Sequence, residues 1–125
     1  MSGRLRIVGG EWRRRVLAFP DAEGLRPTPD RVRETLFNWL GQDLSGLACL
    51  DLFAGSGALG LEAASRGAGK VVLVERAPRV ADALDSNIRL LQGAGRVELL
   101  RQDALKFASS SSRAFDVVFL DPPYR

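Results

Sequence analysis

Two short stretches carry residues whose types and order could do chemistry. The first is Asp51-Leu-Phe-Ala-Gly-Ser-Gly-Ala-Leu-Gly60, in which Gly55, Gly57 and Gly60 satisfy G-x-G-x-x-G. Between a strand and a helix, such a loop lets a ligand approach backbone N–H groups that a side chain at Gly55 or Gly57 would block. A tight structural turn would use the same glycines. Glu75 follows Asp51 by 24 residues. A carboxylate there can accept hydrogen bonds from both hydroxyls of a ribose, which suits a dinucleotide and S-adenosylmethionine alike. Asp51 separates the two ligands, because an acid buried at a strand's end is costly unless paired. The ammonium of a methionine moiety would pair with it, whereas a pyrophosphate would be repelled. The alternative is that Asp51 caps N–H groups of its own loop. Asp103 is placed to accept a hydrogen bond from an adenine amino group, to N-cap the short helix after it, or to do both.

The second stretch is Asp121-Pro122-Pro123-Tyr124, which follows an apolar run. An amino group conjugated to an aromatic base is a poor nucleophile because its lone pair is delocalised. To attack a methyl sulfonium it must move toward sp³ geometry. The Asp121 carboxylate and the Pro122 carbonyl could grip its two N–H bonds and favour that geometry, with the prolines fixing the carbonyl's direction. Tyr124 would stack on a base drawn out of its helix or loop. Catalysis of this kind is mainly positioning and electrostatics. A proline-rich turn closing a strand, with a partly buried Tyr, is the bland alternative.

These stretches need elements to hold them. Leu47–Phe53, Val71–Glu75, Val97–Leu100 and Phe115–Leu120 read as strands. Between them Ala58–Arg66, Pro78–Leu91 and a short segment at Ala104–Ala108 read as helices. Strands separated by helices imply parallel pairing in an α/β, doubly wound sheet. Upstream, Leu5–Val8 and Arg14–Phe19 read as a hairpin turned at Gly9-Gly10. Thr28-Pro29 reads as a helix start, with Thr28 as N-cap, Pro29 at the first helical position and Asp30 in the first turn. That helix should run to about Leu40 with Val32, Leu36 and Leu40 as its buried stripe. The expected division is an N-terminal basic extension over residues 1–27 and a ligand-binding core over residues 28–125.

Composition narrows the classes. The chain has 125 residues, one cysteine and no histidine. A Ser-His-Asp triad and a structural zinc site are thereby excluded, and no metal is expected. Cys49 sits in an apolar run and reads as a small core residue. A lone cysteine suits a reducing, cytoplasmic setting, and no run is long enough to span a bilayer. The net charge of +3 is confined to residues 1–40, which hold eight arginines against five acids. A basic segment of that kind suits a nucleic-acid backbone, or else is a solvated arginine-rich surface.

With those residues in view, the chain resembles the class I methyltransferases, and in particular the bacterial 16S rRNA guanine-N2 methyltransferases of the RsmD type. The likeness rests on Arg6-Ile-Val-Gly-Gly10 with Trp12-Arg13, on the run from Arg26 to Leu40, on Asp51–Glu62 and on Asp121–Tyr124. It implies a Rossmann-like, seven-stranded sheet with a hairpin extension, and methyl transfer from S-adenosylmethionine to N2 of a guanine in 16S rRNA, within an assembling small ribosomal subunit. It further implies Asp51, Gly55 and Gly57 at the methionine end of the cofactor, Glu75 at the ribose, Asp103 at the adenine, and Asp121 to Tyr124 at the guanine. Arg4, Arg6, Arg13, Arg14 and Arg15 would meet the rRNA backbone, and the protein would act as a monomer. Members of the family continue for dozens of residues past the Asp-Pro-Pro-Tyr motif. The expectation is therefore of a partial sheet whose last strand forms an edge, with most cofactor contacts kept and little methyl transfer. The competing readings are a DNA adenine-N6 methyltransferase and a nucleotide-binding module without transferase activity.

Overall fold

The computed structural model describes residues 2–22, 25–26 and 28–122. Its elements are β1 (Ser2–Arg6), β2 (Val16–Pro20), α1 (Asp30–Leu40), β3 (Ala48–Asp51), α2 (Ala58–Ser65), β4 (Lys70–Val74), α3 (Pro78–Leu90), β5 (Val97–Leu100), α4 (Ala104–Ser110) and β6 (Val117–Phe119). The last four strands form one parallel sheet in the order β5-β4-β3-β6. This sheet has four strands among the described residues, where the family resemblance implies seven. The order reverses between β3 and β6, so the crevice at their carboxyl ends is the topological switch point where open α/β sheets take ligands.

Strand alternation sorts the core. Cys49, Val71, Leu73, Val97 and Phe119 point to one face, under α2 and α3. Leu50, Val72 and Val74 point to the other, where Ala104 and Phe107 of α4 cover them. Burial, and secondarily Asp116, pushes the Cys49 thiol up to about 11, which leaves it an inert part of the packing. No helix among the described residues is long and apolar enough to cross a membrane.

The hairpin pairs as expected but ends earlier, with Arg6 opposite Val16. Its backbone is diverted onto α2. The N–H groups of Val8 and Gly9 donate to the Glu62 carboxylate at 3.0 and 2.8 Å, and that of Glu11 donates to the Ser65 carbonyl at 2.7 Å. Gly10 has φ +82° and lies so close to the Ser65 carbonyl that a Cβ would stand 2.0 Å from its oxygen. The apolar hairpin residues Leu5, Ile7, Trp12, Leu17 and Phe19 join the same core as the sheet.

Helix α1 departs from expectation twice. Pro29, not Thr28, occupies the N-cap position, and no side chain caps the helix. The Thr28 hydroxyl instead donates to Asp121 at 3.4 Å. The buried residues of α1 are Arg33 and Phe37; of the expected stripe, Leu36 packs partly buried against the core, while Val32 is 52% and Leu40 37% exposed. The helix is turned by one residue because Arg33 reaches the buried Glu62 at 2.8 Å and Phe37 packs on Phe119 at 5.8 Å between ring centres. The other elements differ only at their ends. β6 is shorter than expected because the Asp116 side chain and backbone bond Ala48 and Phe115 turns under the sheet to meet Phe107.

Candidate active site

The Asp51 loop and the Asp121 stretch leave the sheet side by side. Asp51 and Phe119 are register partners on the neighbouring parallel strands β3 and β6, and Leu52 N–H donates to the Phe119 carbonyl at 3.2 Å. Asp51, Gly55, Glu75, Asp103, Asp121 and Pro122 all line one cavity of about 650 Å³ at that edge. This volume is within the range of small-molecule sites.

Asp51 forms the floor. It is 2% exposed. Its Oδ2 accepts the Gly60 N–H of α2 at 3.0 Å, and its Oδ1 has no hydrogen-bond partner among the described residues. Part of the capping alternative is thus realised, and half of the carboxylate is left for something else. Burial pushes its pKa up to about 7, opposed by the Gly60 N–H and reinforced by the nearby Asp121 and Glu75. Gly60 permits this contact, since a Cβ there would lie 2.2 Å from Leu73 Cδ2 and 3.2 Å from the Asp51 carboxylate.

The walls are set by backbone N–H groups. Glu75 stands just past β4, with Oε1 accepting the Gly55 N–H at 2.9 Å and Oε2 the Ala77 N–H at 3.1 Å. It therefore shapes the glycine loop, and each oxygen keeps a lone pair for a ligand hydroxyl. Asp103 is the N-cap of α4, with Oδ1 accepting from Leu105 and Lys106, and Arg76 stands 3.7 Å from its Oδ2. Gly55 has φ +54°, and a Cβ there would stand 3.0 Å from Leu25 Cδ1. Gly57, by contrast, is not among the cavity's lining residues. Its φ is +86°, and a Cβ there would strike Leu61 and Leu84 in the core. The turn and the packing beneath it therefore both require glycine at this position.

Among the amine-gripping candidates, Asp121 and Pro122 are exposed and face the cavity. Tyr124 lies outside the described residues. Arg4, Arg6, Arg13, Arg14 and Arg15 are all exposed on the hairpin. Arg6 pairs with Asp30 at 2.9 Å, and Arg15 donates to the Leu90 carbonyl at 3.4 Å.

Sequence reasoning passed over Thr28, Arg33 and Glu62. Thr28 lines the cavity and touches Asp121, and its carbonyl accepts the Arg33 Nε–H at 3.0 Å. Arg33 is held in turn by the wholly buried Glu62. The available signal was Glu62 itself, a lone charge in the otherwise small and apolar Ala58–Ser65 helix.

The family described as Conserved hypothetical protein 95 matches residues 5–125. The chain is 49% identical over 124 residues to Ribosomal RNA small subunit methyltransferase D of Escherichia coli, covering 99% of this chain and 62% of that protein. It is 48% identical over 126 residues to the protein of the same name from Haemophilus influenzae, covering 98% and 65%. Among solved structures, the yhhF protein of Escherichia coli superposes with a TM-score of 0.88 at 49% identity, over 98% of this chain and 66% of that one. The chain thus spans just under two thirds of the length of these relatives.

Proposed function

This chain belongs to the Conserved hypothetical protein 95 family, and from that premise we propose that it is the methyl-donor-binding part of an enzyme that methylates the N2 amine of a guanine in 16S rRNA of a small ribosomal subunit particle. One observation carries the proposal: the Asp51 loop and the Asp121-Pro122 stretch line the same cavity at the ends of adjacent parallel strands. Donor and acceptor would then meet within the reach of a single methyl group. The relatives named for small-subunit rRNA methylation support the choice of substrate.

The donor of this reading is S-adenosylmethionine, and the residues present fit it. The unpartnered Asp51 Oδ1 suits the ligand's ammonium. Glu75 and Asp103 line the same cavity, and this reading assigns Glu75 to the ribose hydroxyls and the Asp103 carboxylate to the adenine amino group. When bound, the cofactor supplies an activated methyl group. The protein's part is orientation. The Asp121 carboxylate and the Pro122 carbonyl accept the two N–H bonds of the target amine and hold its lone pair toward the donor. Tyr124 is assigned to stacking on the target base, and the hairpin arginines to the phosphate backbone.

Two measurements test this reading. S-adenosylhomocysteine should raise the melting temperature of the protein and NAD should not, because only a ligand of the folded state stabilises it. Labelled methyl groups should enter small-subunit particles rather than duplex DNA, and Asp121→Ala should abolish that incorporation. Stabilisation by NAD alone, or label found only in DNA adenine, would overturn the assignment.

A further inference from the structure

We propose that Asp51 reads the charge of the ligand: the cavity takes nucleosides bearing an ammonium group with loss of one proton from Asp51, and takes nucleosides without that group with no proton lost. The inference rests on the donor-site reading above and adds to it a selection rule and a proton linkage.

The geometry is that of a half-finished carboxylate. Asp51 is buried at the floor of the cavity, and one backbone N–H is its only hydrogen-bond donor among the described residues. The groups around it do not complete it. From α2 comes only the uncharged Gly60 N–H. From the end of β4 comes Glu75, and from the end of β6 comes Asp121, both acids that disfavour a charge on Asp51. Arg26 and Arg76 also line the cavity, yet neither provides a hydrogen bond to Oδ1, and the Arg76 guanidinium lies beside Asp103. Burial and the two acids hold the carboxyl near neutrality, at about 7, so the ligand-free protein carries this proton in a large share of molecules at physiological pH.

An ammonium arriving at Oδ1 changes the balance. The Asp51 O–H bond breaks, its electron pair stays on the carboxylate oxygen, the proton leaves to the buffer, and the ligand's ammonium keeps all its own protons. Below the free-protein pKa, binding must expel the proton, so affinity falls by about tenfold for each pH unit. Above it, affinity levels off. A nucleoside that lacks the ammonium gains nothing from the ionised form and shows neither effect.

Isothermal titration calorimetry at pH 6 and pH 8, in buffers of different ionisation enthalpy, tests this with S-adenosylhomocysteine and 5′-methylthioadenosine. The expected result is release of nearly one proton with S-adenosylhomocysteine at pH 6 and little at pH 8, with affinity roughly tenfold higher at pH 8. Methylthioadenosine should show no proton release and equal affinity at both. Asp51→Asn, its fold checked by circular dichroism, should abolish the proton release. Binding of S-adenosylhomocysteine without proton exchange and with flat pH dependence would overturn this inference and leave the donor site standing. Failure of both nucleosides to bind would overturn the donor site as well.

Discussion

Two buried carboxylates in this protein have opposite surroundings. Glu62 is fully buried and complete, with Oε1 accepting from Val8 N–H and Arg33, and Oε2 from Gly9 N–H and Arg66. Asp51 is buried almost as deeply and accepts a single N–H among the described residues. Burial is therefore not what distinguishes a functional acid here; completion is. Glu62 ties the hairpin, α1 and α2 into one piece, and every bond it can make is spent inside the fold. Asp51 keeps an oxygen in reserve at the floor of a cavity. Native interiors rarely leave such an atom unpaired, and a ligand is what the cavity admits.

The contrast breaks first at Glu62. Glu62→Gln removes the charge and leaves Arg33 and Arg66 buried without it, which should cost about 3–5 kcal/mol in urea unfolding. A loss below about 1 kcal/mol would mean that the knot is not the structural counterpart of the cavity floor. Asp51→Asn should act with the opposite sign. The folded pKa of Asp51 is raised from 3.8 to about 7. The free protein therefore loses stability as pH rises through that window, and the deficit is complete above 7. The variant should be more stable than the parent at pH 8, by on the order of 4 kcal/mol, with the gain shrinking toward pH 4. A variant less stable at pH 8 would mean that Oδ1 already has a partner in the fold.

Gly60→Ala probes the floor from below. Its new Cβ would press on Leu73 Cδ2, the far end of a flexible side chain, and on the Asp51 carboxylate. The cost should sit near the low end for overpacking, about 1–2 kcal/mol. It should come with weaker binding of S-adenosylhomocysteine, because the Gly60–Asp51 bond is disturbed. Unchanged binding together with lost stability would separate the packing of α2 from the shape of the floor.

How much of this was legible before the structure follows from the range of each interaction. The order of strands and helices was readable because each apolar run carries its own periodicity and its own glycine or proline stops. The meeting of Asp51 with Asp121 was readable too, because parallel strands put both carboxyl ends on one edge. The buried face of α1 was not. Val32, Leu36 and Leu40 satisfy the helical period, but the face that turned inward is set by Glu62, 29 residues from Arg33, and local periodicity does not encode such a partner. Glu75 and Asp103 both line the cavity, yet their bonds to Gly55, Ala77, Leu105 and Lys106 depend on loop backbone directions that side-chain types do not reveal. Gly57 likewise carries a packing demand, against Leu61 and Leu84, that its place in the motif does not reveal.

The smallest expected effect carries the same comparison to the surface. Arg6 is already paired with Asp30, whereas Arg13 is exposed and forms no ion pair among the described residues. Neither Arg13→Ala nor Arg6→Ala should change stability by more than about 0.5 kcal/mol, since exposed side chains and surface pairs contribute little. RNA binding should tell them apart. A cation neutralising one phosphate contributes about 0.7–0.9 to the slope of log affinity against log salt. Arg13→Ala should lower the slope by nearly that amount. Arg6→Ala should lower it less, because Asp30 competes for the guanidinium before the phosphate arrives, and Asp30→Asn should restore Arg6 to full value. Equal slopes for the two arginine variants would mean that the Asp30 pair opens freely on RNA, and that pairing in the free protein does not decide which charges remain for a partner.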